Sequence, residues 1–237
     1  MRMALLLAGQ ARSIDKLPYH PRSVVRFIDQ YKPDVYCSFW LEPEALKAIE
    51  LFQPKQHDLS TEEEFQQDKH EWWYRWSKIV NPKDCTEQRR KWYWNELPDR
   101  RSRDNTIRHW SRMTAGNHLI KETYDIVVVT RTDIDFRHGT TIKTDVALNT
   151  IYGHNRSEGS HLDRLFWGDH ASINRLLLWS KMIEAMAHAE TSGKHGRRPM
   201  AHVRDSRWLG PENTLMVTMK HVGLEYSKQI HRTDIIR

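Results

Sequence analysis

The chain has few cysteines and no long apolar run, and each shortage excludes a class of protein. Two cysteines among 237 residues exclude a fold stapled by disulfides. No apolar stretch approaches the roughly 20 residues of a membrane-spanning helix. Apolar residues make up only 38% of the chain, but ten tryptophans, eight tyrosines and six phenylalanines argue against disorder. The length is sufficient for one large domain or two small ones.

Several well-known catalytic and nucleotide-binding motifs are also missing from the sequence. There is no Gly-x-Gly-x-x-Gly, no Walker A loop and no Gly-x-Ser-x-Gly, so dinucleotide, P-loop and serine-hydrolase functions lose support. There is no His-Glu-x-x-His, and the two cysteines lie far apart, so the usual spacing of a zinc site is absent.

The N-terminal segment Met3–Gly9 looks at first like the start of a signal peptide. Its apolar run is only about seven residues long, however, and the polar residues Gln10 and Arg12 interrupt it. We therefore interpret the segment as a buried first strand. On that interpretation we expect a cytoplasmic protein, located in the host cytoplasm if a virus encodes it.

Positive charge is concentrated in one part of the chain. The net charge is +6, and residues 69–112 hold 12 Lys and Arg against 6 Asp and Glu, together with six of the ten tryptophans. Three interpretations are open. The segment binds an anionic polymer such as nucleic acid, or it is an insertion with a small aromatic core and a solvated basic face, or it covers a phosphate-bearing donor or acceptor.

Strand-like and helix-like segments alternate in the first half of the chain. Such alternation indicates an α/β fold with a mostly parallel sheet flanked by helices, in which ligands bind outside the carboxyl ends of the strands. The segments Gly9–Arg12 and Arg131–Asp135 both follow predicted strands and are expected to meet in one cleft. Strands are predicted at 3–8, 34–40, 54–59, 125–130 and 150–153, and helices at 21–31, 42–52, 104–123, 171–189 and 211–222, with a capping-box helix start at 60–64.

The segment Val127–Phe136 carries the most informative chemistry. A β-branched strand runs directly into Asp133-x-Asp135, and two neighbouring carboxylates repel each other unless a cation lies between them. Hard oxygen ligands suit Mn²⁺ or Mg²⁺, and Arg131 adds a second cation for the phosphates of a substrate. The alternative is a turn at the end of the strand in which one aspartate caps a helix.

Five short motifs, in order along the chain, resemble a known family. They are Gly9-Gln-Ala-Arg12, Ser38-Phe-Trp40, Arg131-x-Asp-x-Asp-Phe136, Asp163-x-x-Phe-x-Gly168 and Pro211-Glu212. Together they resemble the small nucleotide-sugar glycosyltransferases of GT-A type that take part in capsular and lipopolysaccharide synthesis and are also carried by phages and large viruses. The resemblance covers most of the chain except 60–103.

The resemblance implies a single GT-A-like domain with a Rossmann-like sheet. Residues 1–59 and 104–136 would form the nucleotide-binding half, 60–103 a helical, basic, Trp-rich insertion, and 137–237 the acceptor-binding half. The nucleotide site would include Gly9, Gln10, Arg12, Trp40 and Arg131. The Mn²⁺ or Mg²⁺ ion and the donor diphosphate would be held by Asp133 and Asp135, with His231 either as a third ligand or as an exposed residue of a polar strand.

A transferase also has to activate the hydroxyl group of its acceptor. If the reaction inverts the sugar, a carboxylate base is needed within hydrogen-bond reach of that hydroxyl, and Asp163 and Glu212 are the candidates. Asp163 precedes Leu165–Gly168, which we expect to line the donor sugar, whereas Glu212 is either the base or a stabiliser of a helix start. Asp169 is expected to cap the helix that follows it.

We therefore expect a metal-dependent glycosyltransferase of the hexosyltransferase class. It would move a sugar from a nucleotide-diphosphate donor to a glycan or another hydroxyl acceptor, in polysaccharide biosynthesis. One alternative is a metal-dependent nucleic-acid-processing or nucleic-acid-binding protein that uses the basic Trp-rich segment. Another is a non-catalytic glycan-binding protein in which tryptophans stack on sugar rings.

Overall fold

The computed structural model describes residues 1–20, 22–80, 100–137, 142–154, 164–191, 211–229 and 232–235. The strands are β1 Met3–Gly9, β2 Asp34–Trp40, β3 Gln56–Ser60, β4 Ile126–Thr130, β5 Ile134–Arg137, β6 Thr150–His154, β7 Leu165–Gly168, β8 Glu225–Gln229 and β9 Arg232–Ile235. The α-helices are α1 Val24–Tyr31, α2 Pro43–Phe52, α3 Glu62–Val80, α4 Arg100–Leu119, α5 His170–Leu176, α6 Trp179–Thr191 and α7 Pro211–His221, and a 3-10 helix spans Ile14–Tyr19.

Seven of the strands form one mostly parallel sheet in the order β3-β2-β1-β4-β7-β6-β8. Strands β3, β2, β1 and β4 run parallel to one another, β7 is antiparallel to both of its neighbours, and β8 runs parallel to β6. The short strands β5 and β9 pair antiparallel in a separate two-stranded sheet. The predicted α/β class with a mostly parallel sheet is therefore confirmed.

Apolar side chains on both faces of the sheet bury it between two layers of helices. In β1, Ala4, Leu6 and Ala8 face one layer, while Leu5 and Leu7 face the other. This alternation follows from the two-residue period of a strand, and it explains why a strand covered on both faces is apolar throughout. Helices α1 and α2 cover one face, and α3 to α7 contribute to the core of the other.

Helix α4 lies unusually close to the sheet because Gly116 has no side chain. A Cβ atom placed there would come within 2.4 Å of a Leu6 methyl group and 3.0 Å of the Ser38 Cβ. The close approach brings the middle of α4 over β1 and β2, the two strands that end at the predicted cleft.

Two helix starts form as their sequences predict. At the start of α3, the Glu64 amide donates to the Thr61 hydroxyl at 3.2 Å, and the Thr61 amide donates to the Glu64 carboxylate at 2.7 Å, which is a capping box. At the start of α5, the Ser172 amide donates to Asp169 at 2.9 Å. The expected cap at Asp169 is therefore confirmed.

Two predictions about the second half of the chain are wrong. The single helix expected over 171–189 is two helices, and at their junction the backbone carbonyl of Leu177 accepts a hydrogen bond from Thr114 of α4 at 3.0 Å. The segment 165–168, expected to line a sugar, is the buried strand β7. Its side chains are fully enclosed because Phe166 packs into the core on one face of the sheet, and Leu165 and Trp167 pack into the core on the other.

Tryptophans of the basic segment belong to the core of the domain. Trp72 and Trp76 of α3 stack at a centroid distance of 6.0 Å, and both are buried together with Trp110 of α4. Their packing is that of an aromatic core. Trp92, Trp94 and the side chain of Trp73 lie outside the described residues. No described helix combines the length and apolar character that a membrane span requires.

Basic side chains of the same segment pair with carboxylates. Three contacts join different elements: Lys69 to Asp104 at 3.2 Å, Arg108 to Glu62 at 2.5 Å and Arg112 to Asp58 at 2.5 Å. A fourth, Arg75 to Glu71 at 2.6 Å, lies within α3. These pairs hold α3, α4 and β3 together, and they neutralise part of the local positive charge.

At the opposite edge of the sheet from the predicted cleft lies a partly buried imidazole whose protonation is coupled to folding. The Nδ1 atom of His170, the first residue of α5, accepts a hydrogen bond from the Tyr124 amide at 3.3 Å, so the ring is neutral in this contact. Burial lowers the pKa of His170 below its usual value. A positive charge at a helix N-terminus is also unfavourable.

We expect the folded protein to lose stability as the pH falls below the ordinary histidine pKa of ~6.5. The unfolded chain takes up a proton on His170 at a higher pH than the folded protein does. The stability that the neutral ring contributes is therefore complete above the pKa of the unfolded chain, and it is lost as the pH falls towards the lowered pKa of the folded protein. His170→Asn keeps a hydrogen-bond acceptor but does not titrate, so the decrease in stability that His170 causes at low pH should be absent in this variant. Urea midpoints at pH 7.5 and 5.5 measure the effect, and equal losses in both proteins would contradict it.

Candidate functional site

The polar loops that follow β1, β2 and β4 meet at the carboxyl edge of the sheet. Because these three strands are parallel neighbours, Gly9, Trp40 and Thr130 end them at the same edge. The antiparallel strand β7 begins there, at Leu165 opposite Thr130. The edge is the expected ligand-binding side of such a sheet, and the two predicted motif segments lie on it together.

The first loop begins with a backbone conformation that favours glycine. Gly9 has φ +112°, which L-residues rarely adopt. A Cβ atom at Gly9 would lie 3.5 Å from the Nδ1 atom of His109, so α4 packs directly over the end of β1. Gly9 therefore ends β1 in a conformation that other residues rarely adopt, at a place where His109 of α4 lies close to the backbone.

A buried threonine fastens the first loop to the loop after β4. The Thr132 hydroxyl accepts a hydrogen bond from the Arg12 amide at 2.9 Å and donates one to the Arg12 carbonyl at 3.1 Å. Thr132 has no exposed surface. The two hydrogen bonds join segments 120 residues apart in the sequence, and they fix the position of Arg12 relative to Asp133.

Exposed polar side chains extend from the first loop towards the loop after β2. The Arg12 guanidinium donates to the side-chain oxygen of Gln10, and the Gln10 amide donates to Glu42 at 3.3 Å. The backbone of Arg12 is held by Thr132, whereas its side chain is exposed. Arg12 thus presents a cation on a fixed backbone at the carboxyl edge.

The first aspartate of Asp-x-Asp is buried and paired with a neighbouring arginine. Both oxygens of Asp133 accept hydrogen bonds from Arg131, Oδ1 from Nε at 2.9 Å and Oδ2 from Nη2 at 2.7 Å. The Asp133 side chain is 2% exposed and that of Arg131 is 20% exposed. This two-pronged geometry is the strong form of an arginine–carboxylate pair.

The second aspartate is held by an arginine from a distant segment. Arg22 Nε lies 3.2 Å from Asp135 Oδ1, and the Arg22 carbonyl accepts from the Phe136 amide at 2.9 Å. Asp135 belongs to β5, whose partner is β9 near the end of the chain. The small sheet therefore anchors the second carboxylate beside the segment that precedes α1.

The carboxylates of Asp133 and Asp135 are chemically suitable for Mn²⁺ or Mg²⁺. They supply hard oxygen donors at a strand end, and Mg²⁺ in proteins commonly takes one or two carboxylates and completes its shell with water and substrate phosphates. No group of three His, Cys, Asp or Glu side chains arranged to hold a metal is found within the described ranges. A two-carboxylate site shared with a diphosphate does not require a third protein ligand.

Trp40 lies in the core beside the candidate site. Its ring makes an edge contact with Phe65, and the guanidinium groups of Arg108 and Arg112 lie 5.2 Å and 4.5 Å from its centroid. The residue is 4% exposed, which leaves little of the ring for contact with a ligand. Burial lowers the pKa of Arg112, whose ion pair with Asp58 compensates for part of that cost.

Three of the predicted site residues have no described side chain. Asp163 and His231 lie outside the described residues, and of Glu212 only the backbone is described, at the second position of α7. The description resumes at Arg164, the residue after Asp163 in the sequence, which forms a turn before β7. The roles of all three remain predictions.

The sequence did not reveal three residues that organise the site. Thr132 lies between Arg131 and Asp133, at a position where the motif specifies no residue type. Arg22 and His109 carry no local pattern, because their partners at Asp135 and Gly9 are distant in the sequence.

Comparison with known proteins does not identify a family for this chain. No family model matches it, and no curated protein matches its sequence.

Proposed function

We propose that the protein is a metal-dependent glycosyltransferase with a GT-A-like fold. In this proposal it moves a sugar from a nucleotide-diphosphate donor to a glycan or another hydroxyl acceptor, and it does so in the cytoplasm of its cell or host. The parallel strands β3, β2, β1 and β4 belong to the nucleotide-binding half, and the chain after residue 137 provides the acceptor-binding half, with 60–103 as an insertion.

One observation carries the proposal. Thr132 joins the loop Gly9–Arg12 to the loop that holds Asp133, through hydrogen bonds of 2.9 and 3.1 Å to the backbone of Arg12. Two sequence motifs that resemble the same enzyme family therefore lie side by side at the carboxyl edge of a parallel sheet, which is where such sheets bind ligands.

The predicted site residues would divide the work of binding a nucleotide sugar and transferring the sugar. Gly9 and Gln10 would line the nucleotide, and the exposed side chain of Arg12 would contact a phosphate. Asp133 and Asp135 would hold the ion that, when bound, neutralises the charge on the departing diphosphate. Asp163 or Glu212 would accept the proton of the acceptor hydroxyl if the reaction inverts the sugar.

The described part of the chain gives the nucleic-acid alternative less support. Stacking on bases requires exposed aromatic rings, but Trp72, Trp76 and Trp110 are in the core. Contact with many phosphates requires available cations, but Lys69 is buried against Asp104 and Arg112 against Asp58. Thermal shifts with nucleotides, combined with a test of salt-dependent nucleic-acid binding, distinguish the two functions.

We expect one nucleotide to raise the thermal midpoint only when Mn²⁺ is present. UDP, GDP, CMP and ADP are each added with and without Mn²⁺. A ligand that binds only the folded state contributes about 2.7 kcal/mol at 100 times its dissociation constant. For a protein of this size that corresponds to roughly 5–10 °C.

A metal-dependent shift with one nucleoside diphosphate would identify the donor class. The absence of any shift, together with DNA or RNA binding that weakens steeply as salt rises, would contradict the proposal in favour of the nucleic-acid alternative. Binding of glycans without any nucleotide would instead favour a non-catalytic glycan-binding protein.

A further inference from the structure

Both carboxylates of Asp-x-Asp are neutralised by arginines of this chain. Asp133 pairs with Arg131 through two hydrogen bonds of 2.9 and 2.7 Å, and Asp135 pairs with Arg22 at 3.2 Å. Both aspartate side chains are almost fully buried. A buried carboxylate without a counterion is very costly, so these pairs keep the site folded and charged when no ligand is present.

The four side chains have a formal charge of zero. A divalent cation added alone would make the group positive and would compete with Arg131 for the oxygens of Asp133. A diphosphate added alone would bring negative charge next to two buried carboxylates. The two ligands together nearly cancel each other, so the electrostatics of the site favour their joint binding over the binding of either one.

We propose that Arg131 exchanges partners when the donor binds, releasing Asp133 to the divalent cation and pairing with the donor diphosphate. This inference rests on the proposed function. The guanidinium fork that fits a carboxylate also fits a phosphate, so the same donors serve both partners. Arg131 is two residues from Asp133 and its side chain is 20% exposed, so part of it is accessible to a ligand while it pairs with the buried carboxylate.

The exchange couples the binding of the cation and the diphosphate. The cation takes the oxygens of Asp133 that Arg131 gives up, and the diphosphate receives the released guanidinium. Each ligand therefore raises the affinity for the other, and thermodynamic linkage makes the factor the same in both directions. We expect a factor of at least about tenfold, within the usual range for coupled sites.

The test measures Mn²⁺ affinity with Arg131 changed. In Arg131→Gln, Mn²⁺ alone, followed by electron paramagnetic resonance, is expected to bind about tenfold more tightly than in the wild type, because a competing positive charge is gone. Arg131→Lys, which keeps the charge but loses the fork, should lie between the two. Arg26→Gln is the matched control, because Arg26 pairs with Asp29 on the exposed side of α1 and should leave Mn²⁺ affinity unchanged.

A second measurement uses the wild-type protein, so the inference is tested even if Arg131→Gln does not fold. Thermal shifts with Mn²⁺ alone, with UDP, GDP or ADP alone, and with each pair should show that one pair stabilises more than the sum of its members. A folded Arg131→Gln that binds Mn²⁺ no more tightly than the wild type would overturn the exchange and leave the proposed function intact. Additive shifts in the wild type would overturn the exchange together with the metal dependence of the proposed function. A wild-type protein that binds neither ligand would overturn both.

Discussion

Asp133→Asn is expected to lower the metal-dependent rate of donor hydrolysis or sugar transfer by about 10³-fold, because a bound metal contributes several kcal/mol of charge stabilisation. The asparagine keeps one oxygen that accepts from Arg131, so the turn after β4 retains a contact. It lacks the charge that attracts a divalent cation. Rates are measured at several Mn²⁺ concentrations with the donor class identified by thermal shift.

The control for this substitution is Asp29→Asn. Asp29 is a half-exposed residue of α1 that pairs with Arg26 and Lys32, and its replacement should leave the rate unchanged. Circular dichroism establishes that both variants are folded. If folded Asp133→Asn retained the wild-type rate and metal dependence, the assignment of the metal to Asp133 would be wrong.

Thr132→Val is expected to weaken nucleotide binding by roughly ten- to a hundredfold. The loss of both hydrogen bonds to Arg12 removes about 1–3 kcal/mol of the free energy that holds the site in its binding conformation. Valine has nearly the same shape as threonine but no hydroxyl. The partly buried amide of Arg12 would then lose its partner at 2.9 Å, and the loop Gly9–Arg12 would move relative to Asp133. Titration of the stabilising nucleotide in the presence of Mn²⁺ measures the effect.

Thr132→Ser separates positioning from general destabilisation. Serine restores the hydroxyl and loses only a methyl group, so nucleotide affinity should return close to the wild-type value while the urea midpoint stays slightly lower. A purely structural role for Thr132 would give the opposite pattern, with affinity unchanged in both folded variants and only the stability reduced.

The main strands were predictable because their sequences carry the pattern of full burial. Strand β2 was predicted at its observed bounds, and β1 and β4 within one residue, since continuous apolar or β-branched runs are typical of strands covered on both faces. The position of the site followed from the same pattern, because parallel strands bring their carboxyl ends, and the motifs after them, to one edge.

Elements whose partners lie far along the chain escaped prediction. Strand β7 has only four residues. A short apolar run does not by itself show whether it lines a ligand site or forms a buried strand, and here its pairing with β4 and β6 makes it a strand. At the break between α5 and α6, the Leu177 carbonyl contacts Thr114, which lies 63 residues away in the sequence, so no local pattern marks the junction.

The sequence by itself determined the α/β class, the burial of the first strands and the position of Asp133 and Asp135 shortly after β4, because local residue patterns specify these features. Only the tertiary structure decided that Thr132 fastens Arg12, that Arg22 reaches Asp135 and that Arg131 occupies both oxygens of Asp133. The first two of these contacts join distant segments, and the third depends on a side-chain conformation that only the packed site can fix.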